Sequence, residues 1–110
     1  MAVTKNEAIF SLYKDQPIYR DLLQDFVSCL DERMIQSRAA FEDESWKDLS
    51  RLMHQLRGAA ATYGYPALAE IAGSVELASG QPAVPTESLA VYIEEIVSIC
   101  KKIEAGMELT

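Results

Sequence analysis

The chain has one histidine, two cysteines, four prolines and five glycines among 110 residues, and each scarcity removes a class of chemistry. With His54 alone, a two-histidine metal site or a His–His proton relay within one chain is excluded. Cys29 and Cys100 are too few for a disulfide framework and lack metal-ligand spacing. No apolar run approaches the roughly 20 residues that cross a bilayer. The N-terminal residues lack the charged-then-apolar pattern of a secretory leader. No phosphate-binding glycine loop, G-x-G-x-x-G or G-x-S-x-G occurs, so nucleotide hydrolysis and serine-hydrolase chemistry lose their signatures. Basic residues are also short, ten Lys plus Arg against seventeen Asp plus Glu, for a net charge of −7. That balance disfavours nucleic acid and anionic membrane surfaces as partners. The remainder is 49% hydrophobic and 25% charged, as in a folded globular protein. We expect one domain over residues 1–110, cytoplasmic and monomeric, with no cofactor and no metal.

Glycine and proline fall where helices start or stop, and no strand pattern is present. Thr4-Lys5-Asn6-Glu7 has capping-box spacing and predicts a short helix over about residues 4–13. Pro17 suits a first helical turn, and Ile18, Leu22, Phe26, Cys29 and Leu30 then recur at helical spacing in a long helix to about residue 41. Ser45 is a good N-cap for a third helix through about residue 63. A fourth follows Gly64-Tyr65-Pro66, with Leu68, Ile71, Ala72, Val75 and Ala78 on one face. After the loop at 79–85, a fifth places Leu89, Ile93, Ile96, Val97, Cys100 and Ile103 on one stripe and ends near Gly106. Short connections make antiparallel neighbours. The expected fold is all-α, an up-down antiparallel four-helix bundle with an additional short N-terminal helix.

The third helix carries the chemistry. At about 100° per residue, Leu49, Leu52, Met53, Leu56, Ala59, Ala60 and Tyr63 form a core stripe, and His54 falls nearly opposite its centre. Lys47, Arg51 and Arg57 surround His54, with Ser50, Gln55, Gly58 and Ala61 on or beside the same face. This helix face reads as basic and free of carboxylates in a protein of net charge −7. Such a surround attracts phosphate and can hold a phosphoryl group once attached. Gly58 is costly in mid-helix, about 1 kcal/mol relative to alanine, and it stands four residues beyond His54, where a missing side chain lets another protein reach the ring. An imidazole of ordinary pKa, about 6.5, is mostly neutral at pH 7 and offers a lone pair to phosphorus.

His54-Gln55-Leu56-Arg57-Gly58-Ala59-Ala60-Ala61-Thr62-Tyr63-Gly64 resembles the motif of the histidine-containing phosphotransfer (Hpt) domain family, His-x-hydrophobic-Lys-Gly-small-small-x-x-hydrophobic-Gly. Leu68 and Val75-Glu76-Leu77 are similar to the family's next helix, and Thr62-Tyr63-Gly64-Tyr65 to the phosphotransfer domain of chemotaxis kinases. The resemblance implies a helical bundle whose surface phosphohistidine exchanges phosphate with receiver-domain aspartates. It implies His54 as phosphoacceptor, Arg57 and Gly58 at the family's lysine and glycine, and Gly64 as the glycine ending the motif. Arginine keeps the charge but differs from lysine in reach and hydrogen-bond geometry. The implied partners are receiver domains of response regulators and hybrid sensor histidine kinases. The chain would be a phosphocarrier, not an enzyme, with the magnesium-dependent chemistry supplied by the receiver.

The alternative is a non-catalytic helical adaptor of the same fold that binds receiver or kinase domains without phosphorylation. Cys29 and Cys100 read as small core residues. Glu94-Glu95 and Glu42-Asp43-Glu44 read as solvated surface, and Tyr63 as core, with Tyr65 a candidate border of the docking face.

Overall fold

The computed structural model describes residues 7–109. A 3₁₀ turn at Pro17–Tyr19 leads into α1 (Arg20–Ser28), followed by α2 (Leu30–Glu42), α3 (Trp46–Thr62), α4 (Pro66–Ser79) and α5 (Thr86–Glu108). The fold is all-α, a helical bundle with no strand among the described residues. In sequence order α2 packs on α3, α3 on α4 and α4 on α5, while α5 also meets α1 and α2. Leu30, Leu49, Met53, Leu56, Leu68, Val75, Leu89, Ile96 and Ile103 meet in one fully buried core.

Two sequence expectations fail at the N-terminal side. Residues 7–16 form turns and extended chain instead of a helix, and Thr4, Lys5 and Asn6 lie outside the described residues. The segment is held from outside instead. Ile9 N–H donates to the Lys102 carbonyl at 3.0 Å, Leu12 N–H to the Gly64 carbonyl at 2.9 Å, and the Ser11 hydroxyl to the Tyr63 carbonyl at 2.6 Å. These tertiary bonds satisfy backbone groups that a short isolated helix would satisfy only marginally.

The expected helix over 17–41 is broken at Cys29. Ser28 Oγ donates to the Asp25 carbonyl at 2.8 Å, and Cys29 N–H closes a tight turn on the Phe26 carbonyl at 3.2 Å. A serine hydroxyl competing for the backbone in this way weakens helix continuity. The buried set runs through Leu23, Phe26, Val27, Leu30, Met34 and Ala40 at helical spacing on both sides of the break. Ile18, Leu22 and Cys29, expected on the core stripe, are exposed on its shoulder. Cys100 is buried, and burial, with Glu104 and Asp31 nearby, pushes its thiol up to about 12.

Two helices end on a left-handed residue. At the end of α3, Gly64 has φ +81°, with Tyr65 N–H on the Ala60 carbonyl at 2.8 Å and Gly64 N–H on that of Ala61 at 3.4 Å, a Schellman ending. Glu44 takes the same role after α2 at φ 54°, with Ser45 N–H on the Ala40 carbonyl at 2.9 Å. Ser45 stands at the N-cap position of α3 as expected, but its hydroxyl makes no capping bond. The other correction is at Gly106. It does not end α5 but lies buried inside it, where Ile9 crosses.

Along the line where α2 meets α5, Glu104 is raised above its ordinary carboxylate value, first by burial, then by the charge of Asp31 and a hydrogen bond with it, against an opposing pull from Lys101. A raised folded-state pKa gives stability that is complete below the unfolded value, about 4.3, and is lost as pH climbs through the folded value. Glu104→Gln is therefore expected to raise the urea midpoint at pH 7 and to flatten the fall in stability above pH about 4.3. A midpoint at pH 7 equal to or below wild type would contradict this.

Candidate functional site

Leu49, Met53, Leu56 and Ala60 turn one face of α3 inward, and the same helical geometry turns His54 outward, its side chain 66% exposed. The neighbouring helix then supplies what one helix cannot. Arg57 on α3 lies against Gly73 on α4, while Ser50 shares the other end of the same groove with Gly80 and Pro82, so α3 and α4 run antiparallel. This pairing brings Glu76 to His54, with Glu76 Oε2 2.9 Å from His54 Nδ1. Arg57 Nη1 stands 3.3 Å from Glu76 Oε1, and Arg57 Nη2 is 3.4 Å from His54 Nδ1.

Nδ1 of a neutral ring cannot both donate to the carboxylate and accept from the guanidinium. The shorter contact, to a charged acceptor, assigns the tautomer. Nδ1–H donates to Glu76, and Arg57 is held by its charge on Glu76. That leaves the Nε2 lone pair for an incoming group. Glu76 Oε1 is buried without an aligned hydrogen bond, so its compensation is the nearby Arg57 charge.

Glu76 corrects the expectation of a carboxylate-free surround, as does Asp48, whose Oδ1 is 3.7 Å from Arg51 Nη2. Asp48 stands on α3 itself, three residues from Arg51, and is legible in the sequence. Glu76 is not, because a helical wheel orders the residues of one helix and cannot show what a neighbour brings. The only available sign was Val75-Glu76-Leu77 in the matching segment, and periodicity there fixed Val75 in the core without aiming Glu76 at His54.

The expected site residues separate into those gathered at His54 and those that are not. Arg57 and Gly58 are gathered there. Gly58 is exposed, and a Cβ built on it would have no heavy atom within 4 Å. Ala61 is exposed further along α3. Arg51 is turned to Asp48. Lys47 is exposed but seven residues away, about 10 Å along the axis. Ser50 is half-buried in the α3–α4 groove, and Gln55 lines the groove to α2 with Arg33 and Gln36. Tyr65 does not border this face, because it is 2% exposed and stacked on Phe26 with ring centroids 5.7 Å apart. Gly64 shapes the turn, where a Cβ would meet Ser11 Oγ at 2.8 Å.

Among the described residues, no three His, Cys, Asp or Glu side chains converge as metal ligands, and no helix is long and apolar enough to cross a membrane. No curated protein and no solved structure matches the chain. The family model of the Hpt domain matches residues 21–106. Hpt domains are phosphocarriers of two-component phosphorelays that work with receiver domains and kinases. A match from α1 to near the end of α5, over an all-helical bundle, places this chain in the Hpt domain family.

Proposed function

We propose that the chain is a histidine phosphotransfer protein in which His54 is the phosphoacceptor. It takes a phosphoryl group from a receiver aspartate or a hybrid sensor kinase and passes it to a response-regulator aspartate. The observation that carries this reading is an exposed imidazole whose Nδ1–H is taken by Glu76, leaving Nε2 unencumbered. The Nε2 lone pair forms the new N–P bond as the acyl phosphate P–O bond breaks and the aspartate leaves as a carboxylate. The ring becomes a phosphoimidazolium that keeps its Nδ1 proton, and the Glu76 carboxylate offsets the positive charge developing on it. Return transfer reverses these bonds. Arg57 is near enough to leave Glu76 for the phosphoryl oxygens, where a guanidinium can donate two parallel hydrogen bonds. The receiver brings the magnesium.

Gly58 and Ala61 extend the accessible strip beside the ring, and Gln55 and Ser50 flank it on either side. Arg51 and Lys47 lie further along α3, where they act on the partner's acidic surface through longer-range attraction.

The test is transfer from a panel of receiver domains prephosphorylated on aspartate to wild type and to His54→Gln. Wild type is expected to acquire an acid-labile, alkali-stable label, and His54→Gln none, with its helical fold and receiver binding retained. A folded wild type that binds receivers and takes label from none of them would instead support the adaptor reading.

A further inference from the structure

Gly73 is a second mid-helix glycine that turn geometry does not explain. It lies in the middle of α4, half-buried, where a Cβ would stand 3.2 Å from Arg57 Cδ and 3.9 Å from Arg57 Nη1. The alkyl stem of Arg57 thus crosses α4 over a bare patch of backbone. Glu76 is three residues further along, on the same side of α4, and receives the guanidinium at 3.3 Å.

We propose that Gly73 is a positioning residue for the phosphoacceptor, acting through Arg57 and Glu76; this rests on the reading of His54 given above. Each link has its own geometry. Gly73 lets the arginine stem lie close enough to α4 for its head to reach Glu76 Oε1. The guanidinium charge compensates that buried oxygen, which has no aligned hydrogen bond. Glu76 held in this way presents Oε2 to His54 Nδ1 at 2.9 Å and fixes the tautomer that frees Nε2. A methyl group at position 73 pushes the arginine stem outward. Oε1 then loses its cation, and the carboxylate gains by turning toward water and away from the ring. The pairing also accounts for arginine at this position. Its stem and planar head need a flat bed to span from α3 to Glu76, and Gly73 supplies one.

The decisive measurement is the tautomer of His54 by long-range ¹H–¹⁵N correlation in ¹⁵N-labelled protein, at a pH where the ring is neutral. Wild type is expected to show one dominant species, protonated on Nδ1. Gly73→Ala is expected to show a mixture, as is Arg57→Ala, and the double variant is expected to match Arg57→Ala alone. Phosphotransfer to Gly73→Ala should slow by about tenfold, the equivalent of one weakened charge-assisted hydrogen bond. A wild-type tautomer in Gly73→Ala overturns the proposal, as does a further shift on adding Gly73→Ala to Arg57→Ala. The spectrum requires no phosphate. If His54 is not the phosphoacceptor, wild type fails in the transfer assay, while the tautomer measurement still decides the role of Gly73.

Discussion

Gly58→Met is expected to give a protein more stable than wild type that has lost most of its phosphotransfer. Glycine in a helix interior costs about 1 kcal/mol relative to good helix formers, and at position 58 no neighbouring atom would meet a new Cβ. The urea midpoint should therefore rise by the equivalent of about 0.5–1 kcal/mol. The same side chain stands one turn beyond His54 on the exposed face. There it occupies the space a receiver needs to bring its aspartate in line with Nε2. Forcing extra atoms into a close-fitting contact costs about 1–3 kcal/mol, so transfer should fall by roughly ten- to a hundredfold. Gly58→Ala should keep the stability gain and lose less activity. If Gly58→Met transfers at the wild-type rate, the receiver does not approach over this glycine. Its presence would then be unexplained.

The same substitution in another helix should have the opposite sign. Gly106→Ala also replaces a glycine inside a helix, and intrinsic propensity again favours alanine by about 1 kcal/mol. At this position, however, the Cβ would collide with the Ile9 carbonyl where the N-terminal segment crosses α5. Backbone on one side and a packed helix on the other leave no flexible side chain to move aside. The segment must lift, losing the Ile9–Lys102 hydrogen bond and loosening those of Leu12 and Ser11. We expect a net loss of about 1–3 kcal/mol, read as a lower urea midpoint and faster amide exchange at Ile9 and Leu12. Transfer should persist, because the crossing touches neither His54 nor Glu76. A stabilised Gly106→Ala would show that the crossing gives way at no cost.

The contrast between Gly58 and Gly106 shows what sequence can and cannot reveal. Both read as punctuation or accessibility, because a single chain shows only where side chains are missing. For Gly58 that is enough, since the openness beside it is a property of its own helix face. For Gly106 it misleads, because the reason for the glycine is a carbonyl nearly a hundred residues away in sequence.

The helices α3, α4 and α5, the loop that joins the last two and the core faces of all three follow from period and punctuation alone. Amphipathic spacing is a local property, and burial of those stripes needs only that some partner exist. The outward placement of His54 and the openness beside Gly58 are legible for the same reason, both following from the angular geometry of one helix. Three features depended on tertiary packing. The N-terminal segment takes its shape from contacts to α5 and the end of α3, which overrode a capping signal too weak to form a short helix. The packed face of α1 runs through Leu23, Phe26 and Val27, which leaves Ile18 and Leu22 in solvent. The third is the chemistry of the ring. Residues 54, 57, 73 and 76 meet only because α3 and α4 pack antiparallel in one register, and it is that crossing which decides which imidazole nitrogen is free.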